Sequence, residues 1–211
     1  MAHSNPTSRA ERTARAAELR ERQRRRERRQ RALVVGVTAG VVVALVAAVT
    51  GVLVLTREER AAERAALEAP VDGVQTFEDL GRDHTTGSVE YAETPPVGGD
   101  HSPAWWNCGV YAEPVVDENA VHSLEHGAVW ITYDPALPAE QVDQLAAAAA
   151  PYDYTLLSPY EGLPSPVVLS AWGVQLPLQD AADERVAPFL AQYVQGDQTP
   201  EPGAACTGGV S

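Results

Sequence analysis

The chain has 211 residues, enough for one ordinary domain with appendages, and a formal net charge of −13. Residues 1–31 hold eleven Arg and four Glu, a local balance of +7, whereas residues 57–211 hold five Arg and 25 acids, a balance of −20. The acidic part reads as a soluble surface. No Gly-rich phosphate loop, nucleophile elbow or dinucleotide fingerprint is present, which argues against the enzyme classes built on them.

The chain opens with a basic arm, residues 1–31, containing RERQRRRERRQR. No base-reading element accompanies it, so it reads as a topology signal and a contact for anionic lipid headgroups, with no nucleic-acid role. Residues 32–56 carry no charge. At 1.5 Å per residue such a helix spans about 37 Å, more than the roughly 30 Å hydrocarbon core. The run is longer than a signal peptide's apolar region, which favours an uncleaved anchor. The more basic near flank then places the N-terminus in the cytoplasm and the rest outside, at the cell membrane. Residues 57–70 read as a helical stalk ended by Pro70. The expected partner of these segments is membrane lipid.

Residues 71–211 form the outer domain. SVEYAE, residues 88–93, alternates as a short strand would. The segment 117–127 predicts a short helix, with Asp117 or Asn119 as N-cap and Gly127 past its end. AVWITY (128–133) reads as a strand. A helix follows between Pro138 and Pro151, with Val142, Leu145, Ala146 and Ala149 on one face. YTLL and PVVLSAW read as two further strands. The last helix lies within 180–196, and Pro188 kinks or delays it. This order implies an α+β domain with a mixed or antiparallel sheet and two to three helices, behind a single transmembrane helix. The two cysteines, Cys108 and Cys206, fit one disulfide in an oxidising compartment. The alternative, Cys108 as a thiolate ligand, leaves Cys206 unexplained.

The densest chemistry is HSLEH, residues 122–126. On a helix, His122 and His126 stand one turn apart on the same face, flanked by Glu125. The spelling also matches the inverzincin pattern, which needs a further acidic ligand that nothing singles out. Loops can bring His84 and His101 to the same face and complete a three- or four-ligand site for zinc or copper. The sole Met is the initiator, which excludes a Met-ligated blue-copper centre. A structural polar cluster and metal-free acid–base chemistry remain as alternatives. Beyond residue 70 only Arg82 and Arg185 are available to pair with Glu125. The neighbouring WWNCGVY aromatics read as core or pocket wall.

The stretch from YAETPPVGGDHSPAWWN through HSLEHGAVWITYDP, with SAWG and TPEPGAACTGG downstream, resembles the bacterial domain of unknown function 3105, common in membrane-anchored actinobacterial proteins. The resemblance covers roughly residues 72–208. It implies histidines shared at the positions of His84, His101, His122 and His126. PPVGGDH departs from the Thr-Ser-Gly run usual before the second of these. The family implies no activity. The expected function, from His122 and His126 with His101 and His84 and with Glu125 as orienter or ligand, is metal binding in the cell envelope. The alternatives are a metal-dependent hydrolase with Glu125 as its catalytic base, and a metal-free structural or partner-binding module.

Overall fold

The structure is a computed structural model and describes residues 9–211; for residues 9–12 and 63 the backbone alone is described. Residues 1–8 of the basic arm lie outside the described residues. The chain divides into two compact units, Met1–Ala61 and Ala62–Ser211.

Helix α1 runs Arg9–Glu68. Its basic part carries pairs at i and i+4, Arg22–Glu18 at 2.5 Å and Arg25–Glu21 at 2.7 Å. In the apolar part the Thr38 and Thr50 hydroxyls donate to the carbonyls of Val34 and Val46, four residues back, so no polar side chain there is left without a partner. This helix is long and apolar enough for a membrane span or a signal sequence.

The second unit is built on one mixed sheet, in the order β1-β6-β5-β3-β4-β2. Its strands are β1 (Gln75–Thr76), β2 (Gly109–Val110), β3 (Val129–Tyr133), β4 (Thr155–Pro159), β5 (Val167–Ala171) and β6 (Val174–Leu178). Helix α2 (Asp117–Glu125) precedes β3, α3 (Ala139–Ala149) links β3 to β4, and α4 (Val186–Tyr193) follows β6. Strand β3 pairs parallel with β4 and antiparallel with β5, and all five of its residues are buried. The period of two divides its four apolar residues between two clusters. Val129, Ile131 and Tyr133 pack with Leu145 of α3 and with Phe189 and Leu190 of α4. Trp130 packs with Val121 and Leu124 of α2. Helix α2 therefore rests on the sheet face opposite α3 and α4.

Two expectations are corrected, one strand is added and one expectation is met. SVEYAE is not a strand; Val89 N–H donates to Glu118 Oε1 at 2.9 Å instead of to a neighbouring strand. The cap of α2 is Val116, without a side-chain bond, while Asp117 and Glu118 occupy the first turn, where the helix dipole favours them. Strand β6, absent from the reading of the sequence, contains Pro177. Its outer edge is paired by β1 only at Val174 and Gln175, so Pro177 sits where no donor is required on that side. As expected of a helix that Pro188 delays, α4 begins only at Val186, which puts Pro188 in the first turn, where its missing N–H is harmless.

Candidate metal centre

Helix α2 supplies His122, Glu125 and the adjoining His126. Gly127 ends the helix at φ +95°, and its N–H bonds the Leu124 carbonyl while that of Ala128 bonds Ser123. The backbone angle calls for glycine, and a Cβ here would also displace the Gln195 amide from the His126 carbonyl and crowd Thr199.

Two loops bring the other histidines. The segments at His84 and His101 pair as an isolated parallel bridge: Thr85 N–H donates to the His101 carbonyl at 2.7 Å, and His101 N–H to that of Asp83 at 3.0 Å. Asp100 Oδ1 accepts from Asp83 N–H at 3.0 Å, and a Cβ on Gly81 would meet that oxygen at 2.3 Å. The loop after His101 is tied to α2. Ser102 N–H bonds the Glu118 carbonyl, Asn119 Nδ2 donates to Ser102 Oγ and the Ala104 carbonyl, and Ser123 Oγ donates to the Trp106 carbonyl.

These ties gather His84, His101, His122 and Glu125 so that one ligand atom from each lies within 4.8 Å of all the others. The three imidazole centroids form a near-equilateral triangle with sides of 5.0, 4.9 and 4.8 Å. His101, His122 and Glu125 are buried, and the His84 side chain is 51% exposed. Trp105 and Trp172 flank the cluster, against His122 and His101 respectively.

The protons follow from the acceptors. His101 Nδ1 lies 2.8 Å from the Gly99 carbonyl, and His122 Nδ1 lies 2.6 Å from that of Ser102. A carbonyl only accepts, so each Nδ1 carries its proton and the neutral ring presents a bare Nε2. His101 Nε2 then faces Glu125 Oε2 at 3.0 Å, and His122 Nε2 faces His126 Nε2 at 2.9 Å. His126 Nδ1 is likewise engaged, with the Ala205 carbonyl at 2.6 Å. Acceptors face acceptors unless a cation, either a proton or a metal ion, stands between them. Burial, opposed by the Ser102 carbonyl and reinforced by His126, His101 and His84, pushes His122 below the ordinary histidine range. Its neutral, ligating form is thus the favoured one. The donor set fits a divalent transition ion: imidazole nitrogens oriented by backbone carbonyls, with one carboxylate.

His126 is not among the four. It stands beside His122, with Nε2 3.7 Å from Glu201 Oε2. Glu125 is the centre of charge: Arg82 Nε donates to Oε1 at 2.9 Å, while His101 and His84 face Oε2 at 3.0 and 4.0 Å. Arg82 was one of two candidates by composition. The roles of Glu201 and of the Gly99, Ser102 and Ala205 carbonyls carried no signal in the sequence, whereas Trp105, against His122 and His126, is the pocket wall that the WWNCGVY aromatics suggest.

Cys108 and Cys206 form a disulfide, with Cα atoms 5.3 Å apart. It secures the tail that brings the Ala205 carbonyl to His126, and Glu201 N–H also bonds the Glu125 carbonyl at 3.0 Å. A separate cavity of about 620 Å³ lies beside the disulfide, walled by Ala146, Ala150, Tyr152 and Tyr154 among others; no residue of the cluster lines it.

Fold and site together define an α+β domain carrying a His/Glu cluster that could hold a metal ion, in a chain that begins with one long apolar helix. The model of the family described as protein of unknown function (DUF3105) matches residues 83–208, more than half of the chain, and the chain belongs to that family. No curated protein and no solved structure matches it.

Proposed function

We propose that the domain binds a single divalent transition-metal ion, zinc or copper, through Nε2 of His101 and His122, one ring nitrogen of His84 and a carboxylate oxygen of Glu125. The domain stands outside the cell membrane, anchored by α1, with the basic arm in the cytoplasm on lipid headgroups. The observation that carries the metal reading is the convergence of bare imidazole nitrogens on a buried carboxylate. When bound, the ion supplies the positive charge that these facing acceptors lack. Arg82 and the two carbonyl-bound Nδ1 protons hold the ligands in place before the ion arrives.

This geometry supports binding over hydrolysis. Arg82 holds Oε1 of Glu125, and Oε2 faces the bare Nε2 of His101, a place for a shared cation, so the carboxylate goes to the ion as a ligand and not to a substrate proton. Metal analysis of the full chain purified in detergent tests the reading. One equivalent is expected, and His101→Ala and His122→Ala lower the affinity by roughly 100-fold or more, at or beyond the 10–100-fold typical of residues that merely orient a ligand. Unchanged metal content in both variants would overturn it.

A further inference from the structure

Arg82 has more donors than Glu125 uses. A guanidinium carries five N–H donors, and Nε is given to Glu125 Oε1 at 2.9 Å. Among the described residues no protein acceptor takes a hydrogen bond from Nη1 or Nη2, and no carboxylate but that of Glu125 lies within 4.0 Å. This is unexpected where residues 71–211 hold 21 acids and two Arg. The other, Arg185, gives Nε and Nη2 to Asp183 and Nη1 to the Asp72 carbonyl. Asp100 Oδ1 accepts from Asp83 N–H, and neither the Asp83 nor the Asp100 carboxylate pairs with Arg82. The free fork is nevertheless held, because its Nε is fixed to a buried carboxylate. It stands on the solvent side of the cluster: the Arg82 and His84 side chains are 50% and 51% exposed, while His101, His122 and Glu125 are buried.

We propose that Arg82, together with the exposed edge of His84, forms a binding site for a small carboxylate at the mouth of the metal cluster. The proposal rests on the metal reading above. A divalent ion and Arg82 offset the charges of Glu125 and of Asp83 and Asp100 on the adjoining loops, so the mouth is close to neutral in an otherwise acidic domain. The planar Nη1/Nη2 fork matches a carboxylate in bidentate fashion. The surrounding acids repel polyanions, so a nucleic acid or an anionic bilayer is a poor occupant, and a small monoanion meets the least repulsion.

The test uses the full chain in detergent, loaded with cobalt(II) and titrated at constant ionic strength with acetate and, separately, with inorganic phosphate. Acetate is expected to shift the visible cobalt spectrum to saturation. Arg82→Gln loses a bond that orients Glu125, so it is loaded with excess cobalt and its cobalt content is measured first; the loaded variant is expected to bind acetate about tenfold more weakly, or worse, the worth of a charge-assisted bond. Arg82→Lys keeps the charge without the fork and is expected to fall between the two. Cobalt bound with a spectrum indifferent to acetate, or an Arg82→Gln response equal to that of the unaltered chain, overturns this proposal alone. A response to phosphate but not to acetate overturns the carboxylate assignment. Failure to bind cobalt overturns the metal reading and this proposal with it.

Discussion

Glu125 answers to three side chains at once, and most of the site's chemistry follows from their order. Arg82 fixes one oxygen and two histidines face the other. His126 stands one step removed, so His126→Ala is expected to retain the metal with affinity lowered about 10–100-fold, as for residues that orient a ligand; competition with a chelator measures it, and a loss as large as that in His122→Ala would make His126 a direct ligand. Tyr160 offers a second test. Its hydroxyl donates to Asp117 Oδ2 at 2.9 Å, and burial, then the Asp117 charge, pushes its ionisation well above the ordinary tyrosine range. A folded value above the unfolded one, about 10, means that this contribution is whole below pH 10 and is lost as pH rises past it. Spectrophotometric titration at 295 nm should show delayed ionisation that becomes normal in denaturant. Tyr160→Phe should cost about 1 kcal/mol, since Asp117 is only partly buried and water reaches it.

At the scale of elements, the end of α2 matters most, because it aims His122 and Glu125. Gly127→Ala places a Cβ at φ +95° and against Gln195. The backbone strain alone costs on the order of 1–3 kcal/mol, and a urea midpoint within error of the unaltered chain's would contradict this. The elements were legible where periodicity and punctuation agreed: Gly127 ends α2, Pro138 and Pro151 bracket α3, and VWITY is a strand. Strand β6 was hidden because Pro177 reads as a breaker, and only the sheet's edge explains why it is tolerated. The two-residue strands β1 and β2 are too short to show a period. His122 and Glu125 were legible because three residues on one helix share a face. His84 and His101 depend on a backbone bridge between two loops, which no local pattern announces.

For the whole molecule, one covalent bond joins residues 98 positions apart, and the tail it holds reaches the cluster. On the chain-entropy model, closing such a loop contributes about 4 to 5 kcal/mol. Reduction should therefore lower the melting temperature of the α+β domain and, by freeing the Ala205 carbonyl from His126, weaken metal binding as well. Alkylation and intact mass check the state of the bridge: two thiols blocked only after reductant are expected, whereas two blocked without it would show the bridge absent. The metal should stabilise in turn, by about 2.7 kcal/mol at a free concentration one hundred times its dissociation constant.

The central claim is that imidazoles from two loops and one helix meet Glu125 around a single ion. X-ray absorption at the zinc edge of the zinc-loaded full chain tests it most directly. The account predicts nitrogen and oxygen neighbours at about 2.0–2.2 Å, with the outer scattering of three imidazole rings, falling to two rings in His84→Ala. A spectrum with no imidazole contribution, or one unchanged in that variant, would contradict it.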